Sequence, residues 1–438
     1  MAHFGVVAPA FYSHFSALSA LALALVARGH RVTFLQQADA AAYVSDPRLG
    51  FHALGGASHP PGSLAASLQR AANPGGPLGL RRVIDDMART TTMLCRELPA
   101  ALDALQIDAL IGDQMEAAAG LAAESSGRPF VSVACALPVN REPGIPLPVM
   151  PFAWSADERA LRIVEGSTRV YDWMMGPHRK AIETSARRMG LPLRGALHEC
   201  LSPLAQISQT VAAFEFPRAG LPGHFHHVGP LRTAHGKPPA QVTAMPDIAP
   251  GRPFVFASLG TLQGGRYGLF KRIARACRAR GAQLLVAHCG GLDAGQAQSL
   301  KNAGATWVCA FAPQEAVLAR ADAVVSHAGL NTVMDAIAAH TPILALPIAF
   351  DQPGVAARVC HAGVGLRASP RFAGSATLGR QLDRLLDDPG FGERSAQLAQ
   401  GVRAAGGTER AADIVEAAFG FAVATPATAA TESVAGHG

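Results

Sequence analysis

The chain has 438 residues, 49% of them hydrophobic and 16% charged, with a formal net charge of +6. That length suits two or three domains with large buried cores, and the apolar fraction excludes a disordered chain. The charge is spread thinly, without the Lys/Arg block of a nucleic-acid binder, and fits an anionic small molecule, an anionic membrane surface or plain solubility alike.

His3–Ala8 is a short apolar run of the kind that forms a buried parallel strand, and Pro9 ends it. Phe15, Leu18, Ala22 and Leu25 recur at helical spacing, with Ser13 or Ser16 as the expected cap and Arg28-Gly29 as the stop. Residues 4–27 contain no Lys, Arg, Asp or Glu. A signal peptide or membrane span is disfavoured there, because no basic segment precedes the run and Pro9, Tyr12, Ser13 and His14 interrupt it. Arg31–Gln36 reads as the second strand. The intervening loop has no G-x-G-x-x-G, so the start resembles a dinucleotide fold without its phosphate fingerprint.

Residues 55–79 are rich in Gly and Pro and read as a long loop. Leu80–Leu105 reads as helix, Ala109–Gly112 as a strand ending at Asp113, Ala117–Ser125 as helix and Pro129–Cys135 as strand. The next segment, Pro138–Phe152, carries prolines at 138, 143, 146, 148 and 151. A loop of that kind at the end of a parallel strand is placed to receive a ligand, and we assign it to an acceptor pocket. Ala156–Met189 reads as helix broken near Gly176-Pro177.

Gly229–Pro253 holds six prolines and no periodicity, and reads as a linker. A second β/α series follows, with strands at Phe254–Ser258, Gln283–Ala287, Thr306–Cys309, Ala323–Ser326 and Ile343–Leu346, and a helix around Leu269–Arg280. Final helices run from about Thr377 to Phe419, and an Ala/Thr/Ser-rich tail begins at Ala424. The expected domains are therefore residues 1–230 and 253–420, joined by 231–252, with a disordered tail over 421–438. The seven cysteines (95, 135, 200, 277, 289, 309 and 360) are scattered without a C-x-x-C. That pattern argues against a disulfide framework or zinc site and for a reducing, cytoplasmic setting.

The chemistry concentrates in Phe311–Gln352. There the strand Ala323–Ser326 runs into His327-Ala-Gly329-Leu and then a helix opening at Asn331 and Thr332. A helix N-terminus presents unpaired N–H groups and the positive end of the dipole. With His327, Asn331 and Thr332 beside it, the segment is suited to a diphosphate. Asp335 lies one turn along the same helical face, where a carboxylate can accept two ribose hydroxyls. Phe311 and Gln314 offer a ring and an amide for a base. Asp351 and Gln352 offer an acid and an amide for sugar hydroxyls. Ser258, Gly260 and Thr261 close the first strand of the second series and can reach the same diphosphate, although a tight turn explains them almost as well.

Outside this block, His14 follows the first strand and Asp113 ends a later one. In a doubly wound sheet both would face the crevice at the carboxyl ends. A histidine there can deprotonate an acceptor hydroxyl, with a carboxylate on its other nitrogen to fix the tautomer. The same two residues can equally well cap the helices that follow them. No Asp-x-Asp occurs in the chain. Without that metal-binding motif, transfer independent of a metal ion is expected.

The block resembles the signature of the UDP-dependent glycosyltransferases of GT-B architecture. The resemblance implies an α/β chain with two Rossmann-like parallel-sheet domains facing across a cleft. It assigns Phe311 and Gln314 to uracil, His327, Gly329, Asn331 and Thr332 to the diphosphate, Asp335 to ribose, and Asp351 and Gln352 to the sugar. Phe311 stands where many plant members have Trp, and Asp335 where they have Glu; both keep the chemistry. The resemblance also places the base at His14 and its partner at Asp113, within Ile111-Gly-Asp113-Gln. Further segments, among them Ala10-Phe-Tyr-Ser-His14, Leu94-Cys-Arg-Glu-Leu98, Asn140-Arg-Glu-Pro143 and Ala349-Phe-Asp-Gln-Pro-Gly354, several of them outside the block, are similar to the bacterial branch that glucosylates carotenoids. That branch implies UDP-glucose as co-substrate with no cofactor, the ring hydroxyls of zeaxanthin as acceptor, no nucleic-acid partner, and peripheral contact with the inner face of the membrane. The competing readings are another lipophilic alcohol such as a macrolide, sterol or flavonoid, a nucleotide-sugar epimerase, and a catalytically silent sugar-nucleotide sensor. The last two are disfavoured by the presence of His14 and Asp113.

Overall fold

A computed structural model describes residues 1–233 and 245–421. The centre of the expected linker and the tail from Ala424 lie outside these residues. The first sheet contains β1 (His3–Val7), β2 (Arg31–Gln37), β3 (Gly50–Leu54), β4 (Ala109–Asp113), β5 (Phe130–Ala134), β6 (Gln206–Ser208) and β7 (Phe225–His227). Their order is β3-β2-β1-β4-β5-β6-β7, and every pairing is parallel. The second sheet contains β8 (Phe254–Ser258), β9 (Gln283–Ala287), β10 (Trp307–Cys309), β11 (Ala323–Ser326), β12 (Ile343–Ala345) and β13 (Gly365–Arg367), in the order β10-β9-β8-β11-β12-β13, again all parallel.

The short apolar runs are strands because each is buried on both faces between helices. β1, β4, β5, β8 and β11 contain no exposed residue. In each sheet the chain winds outward in one direction and then in the other. The reversal leaves a crevice beside β1 and β4 in the first sheet and beside β8 and β11 in the second, which is where such sheets take ligands.

Several expectations need correction. Residues 55–79 are not all loop, since Ser63–Ala72 forms a helix. Its alanines and leucines outvote the surrounding Gly and Pro locally. The strands β3, β6, β7 and β13 are only three to five residues long and too short to show a period. Neither Ser13 nor Ser16 caps the first helix, Tyr12–Ala27; Phe11 occupies that position without a side-chain hydrogen bond. The uncharged N-terminal stretch is β1 followed by this helix, and among the described residues no helix is long and apolar enough to cross a membrane.

The two sheets are tied together at their edges. The last helix, Gly407–Ala418, returns to the first sheet, where Ala411, Ala412, Ile414 and Val415 join the core built on Phe4, Phe15 and Phe34. Arg28, at the end of the first helix, donates to Asp413 and Glu416, each at 2.7 Å. Elsewhere Arg358, on the helix Gln352–His361, is buried against Glu215 and stacks over Phe216 with 4.3 Å to the ring centroid.

Candidate active site

β1 and β4 are hydrogen-bonded neighbours, with Val7 opposite Gly112. The loop after β1 and the end of β4 therefore open side by side. His14 sits in the first turn of the helix Tyr12–Ala27, and its Nδ1 lies 2.7 Å from Asp113 Oδ2. The second oxygen of Asp113 accepts from the Met115 amide at 2.8 Å. Neither residue serves as a helix cap, because Glu116 caps the helix Ala117–Ser125. Asp113 is buried and acceptor-only when ionised, so Nδ1 carries the proton and Nε2 is the basic atom. Burial disfavours the charged imidazolium, but the charge and hydrogen bond of Asp113 outweigh it. With Asp351 adding to them, the His14 pKa is held above its ordinary value.

Cys135 completes this cluster, its sulfur lying within 4.8 Å of the His14 and Asp113 ligand atoms. Burial and the Asp113 charge push its thiol well up, so it stays protonated and is a poor metal ligand. Sequence reading gave Cys135 no individual role.

The second sheet brings its own residues to the opposite side of the crevice. Ser258 and Ser326 are register partners at the ends of β8 and β11. His327 follows directly, packed between two glycines. A Cβ on Gly260 would lie 2.7 Å from His327 Cε1, and one on Gly329 would lie 2.5 Å from its Nε2. The turn itself is made by Ala328, with φ of 65°, while Gly329 has φ of −64°. Gly329 therefore provides room for the imidazole rather than a reversal of the backbone. Burial lowers the His327 pKa to about 4, so the ring is neutral and acts toward an anion as an N–H donor. The helix Leu330–Ala338 opens at Gly329 without a side-chain cap, which leaves its first N–H groups for an anion. Substituting Gly329 by Ala is expected to displace the ring and weaken UDP-glucose binding about tenfold, the equivalent of ~1.4 kcal/mol within the range for overpacking. Donor titration by calorimetry checks this, and unchanged affinity would free His327 of any part in donor binding.

Further along the helix, Asp335 is held from two sides. Gln314 Nε2 donates to Oδ2 at 2.7 Å, and Arg232 Nε donates to Oδ1 at 2.8 Å. Thr332 Oγ1 in turn donates to Gln314 Oε1 at 3.3 Å. Arg232 also reaches the Asn331 carbonyl at 3.0 Å. No sequence signal pointed to Arg232, which lies in the aperiodic stretch read as linker. Phe311 is half-buried three residues before Gln314, and Thr261 is exposed at the start of the short helix Gly260–Gln263.

Three contacts set the two sides of the crevice face to face. Asn331 Nδ2 donates to the Ser13 carbonyl at 3.3 Å, next to His14. The Leu137 amide donates to Asp351 Oδ2 at 3.1 Å. Phe11 and Phe350 meet edge to face with centroids 5.7 Å apart. Asp351 thus sits close enough for its charge to act on His14, and burial raises its own pKa. Gln352 is buried, and its carbonyl oxygen accepts the amides of Ile348 and Ala349, each at 2.8 Å. It braces the turn in which Phe350 has φ of 56°. That oxygen is engaged by the backbone, so the amide nitrogen is the part left for a sugar.

The sequence model described as UDP-glucoronosyl and UDP-glucosyl transferase matches residues 198–401. The chain is 51% identical over 416 residues to the zeaxanthin glucosyltransferase of Pantoea ananas, covering 95% of this chain and 96% of that one. It is 50% identical over 420 residues to the zeaxanthin glucosyltransferase of Pseudescherichia vulneris, covering 96% and 98%. Among solved structures, the glycotransferase of kitacinnamycin superposes with a TM-score of 0.72 at 21% identity, covering 95% of this chain and 98% of that one. The calicheamicin glycosyltransferase CalG4 superposes with a TM-score of 0.70 at 20% identity, covering 96% and 98%. A fold of two facing parallel sheets and near-full-length identity of about one residue in two lead to one conclusion: the chain belongs to the UDP-glucoronosyl and UDP-glucosyl transferase family and is a glycosyltransferase of GT-B fold.

Proposed function

We propose that the protein transfers glucose from UDP-glucose to the ring hydroxyls of zeaxanthin, with inversion at the anomeric carbon. The observation that carries the chemistry is the His14–Asp113 pair, 2.7 Å apart, at the mouth of the crevice. The acceptor is favoured by the nearly full-length similarity to two zeaxanthin glucosyltransferases. In this reading residues 1–230 receive the acceptor and residues 253–420 receive the donor.

His14 Nε2 takes the proton of the acceptor hydroxyl as its oxygen attacks the anomeric carbon from the face opposite UDP. The bond from that carbon to the phosphate oxygen breaks, and UDP leaves with the electron pair. Asp113 holds the tautomer and stabilises the imidazolium. The helix N-terminus at Gly329, the Thr332 hydroxyl and the neutral His327 N–H meet the charge that develops on the departing diphosphate. Asp335 and Gln314 hold ribose and base, with Phe311 beside the uracil, and Ser258, Gly260 and Thr261 complete the diphosphate cradle. Asp351 and the free amide of Gln352 hold glucose hydroxyls.

The test is incubation of the purified protein with UDP-glucose and zeaxanthin in detergent, with EDTA present. Carotenoids heavier by one and by two hexoses are expected. UDP-glucose binding without any glucoside would overturn the acceptor assignment, and activity that requires added Mg²⁺ would overturn metal-independent transfer.

A further inference from the structure

The helix Glu158–Met174 is 17 residues long, and only Val164 in it is fully buried. Four large apolar side chains on it are exposed: Leu161 by 41%, Ile163 42%, Val170 56% and Trp173 80%; Leu161 lies on the inner side, and the other three share one face. With Gly166 they follow a spacing of three, four and three residues, which places them on one stripe of the helix. A stripe of that kind normally faces a core. This one faces away from both sheets.

Charge is sorted around the stripe. By helical spacing, Arg159 continues its line, and Arg162 and Arg169 lie directly beside it. Glu158, Glu165 and Asp172 fall farther round; Glu158 and Glu165 are exposed and pair with Arg162 and Arg169 at 2.6 and 2.8 Å, while Asp172 is half-buried. The adjoining helix, Gly176–Arg188, exposes Arg179, Lys180, Arg187 and Arg188. Among the described residues, no carboxylate lies within ion-pair distance of Arg159, Lys180, Arg187 or Arg188. A Trp-bearing apolar stripe bordered by arginines has the chemistry of a helix that lies in an anionic lipid interface.

On its inner side the helix is fastened to the proline-rich segment. Asp172 accepts from both terminal nitrogens of Arg141, at 2.9 and 2.5 Å. Leu161 packs so closely on Gly144 that a Cβ there would lie 2.7 Å from its Cδ2. The same segment enters the crevice, where Leu137 meets Asp351 and the Pro148 carbonyl accepts the Gly354 amide at 3.1 Å. One stretch of chain therefore joins the exposed stripe to the candidate site.

We propose that the helix Glu158–Met174 docks the protein on an anionic bilayer, laying Ile163, Val170 and Trp173 into the lipid surface. Its link to the acceptor rests on the proposed carotenoid substrate, but docking does not. The experiment is flotation of the full chain with phosphatidylglycerol/phosphatidylcholine vesicles, free of donor and acceptor, alongside Trp emission. Wild type is expected to bind, with a blue shift in emission. Val170→Ser/Trp173→Ser is expected to bind about tenfold or more weakly and to lose the shift. Arg159→Glu/Arg162→Glu is expected to abolish the preference for anionic over neutral vesicles. Vesicle binding by the Ser variant equal to wild type would overturn the proposal. So would wild type that ignores vesicles but forms a dimer broken by the same substitutions, which would assign the stripe to a second copy of the chain. Transfer to an acceptor dissolved in detergent is expected to be unchanged in both variants. Loss of vesicle binding with that activity intact therefore separates docking from chemistry.

Discussion

His14→Ala is expected to lower the turnover number by about 10²–10⁴, the usual value of a positioned general base. The dissociation constant for UDP-glucose is expected to stay within a factor of about two, since His14 stands on the side of the crevice proposed to receive the acceptor. The pH profile carries the same argument further. His14 works deprotonated, and its pKa is held above the ordinary value by Asp113 first and Asp351 second, against the opposing effect of burial. Therefore kcat/KM falls as pH drops through that raised pKa. Asp113→Asn removes the nearer charge, so the acid limb moves to lower pH while the rate falls because the tautomer is no longer fixed. Parallel loss of donor binding in His14→Ala, or an acid limb unmoved in Asp113→Asn, would give the base role to another group.

The second large effect is on stability. Arg358→Leu is expected to cost about 3–5 kcal/mol, because the buried Glu215 carboxylate loses its closest cation. Arg358 and Glu215 are 1% and 5% exposed, so water cannot take over. Arg218 Nη1 remains 3.4 Å from Glu215 and compensates only in part. The pair joins the segment after β6 to the helix behind Asp351, so the loss is expected to loosen the contact between the sheets as well. Chemical denaturation of the single variant and of Arg358→Leu/Glu215→Gln measures this. The double variant is expected to recover much of the loss, since the buried carboxylate no longer carries a charge. A single-variant cost below about 1 kcal/mol would class the pair with surface ion pairs.

How far the sequence could be read follows from the range of each signal. Strands such as Phe254–Ser258 and Gln283–Ala287 were legible from their apolar runs and match the structure residue for residue. The residues proposed to hold the donor could be grouped because they lie within one strand–helix–strand passage and keep local order. His14 and Asp113 could be named but not joined, since 99 residues separate them. Their contact depends on β4 pairing with the edge of β1 that β2 leaves open. Arg232 was illegible for the same reason, with Asp335 103 residues away. Gly329 could be placed at the diphosphate but its part could not be read: its φ is ordinary, and its value is the absent side chain beside His327. The exposed stripe of Glu158–Met174 was hidden by its period, because spacing alone does not say whether an apolar face looks inward or outward.

The anomeric configuration of the glucoside tests the account's central claim most directly. UDP-glucose carries an α linkage, and a single displacement driven by His14 against Asp113 inverts it. Proton NMR of the purified monoglucoside is expected to show the large coupling of a β-linked anomeric proton. A small coupling, from an α-glucoside, would mean that configuration is retained and would contradict direct attack by a hydroxyl that His14 deprotonates.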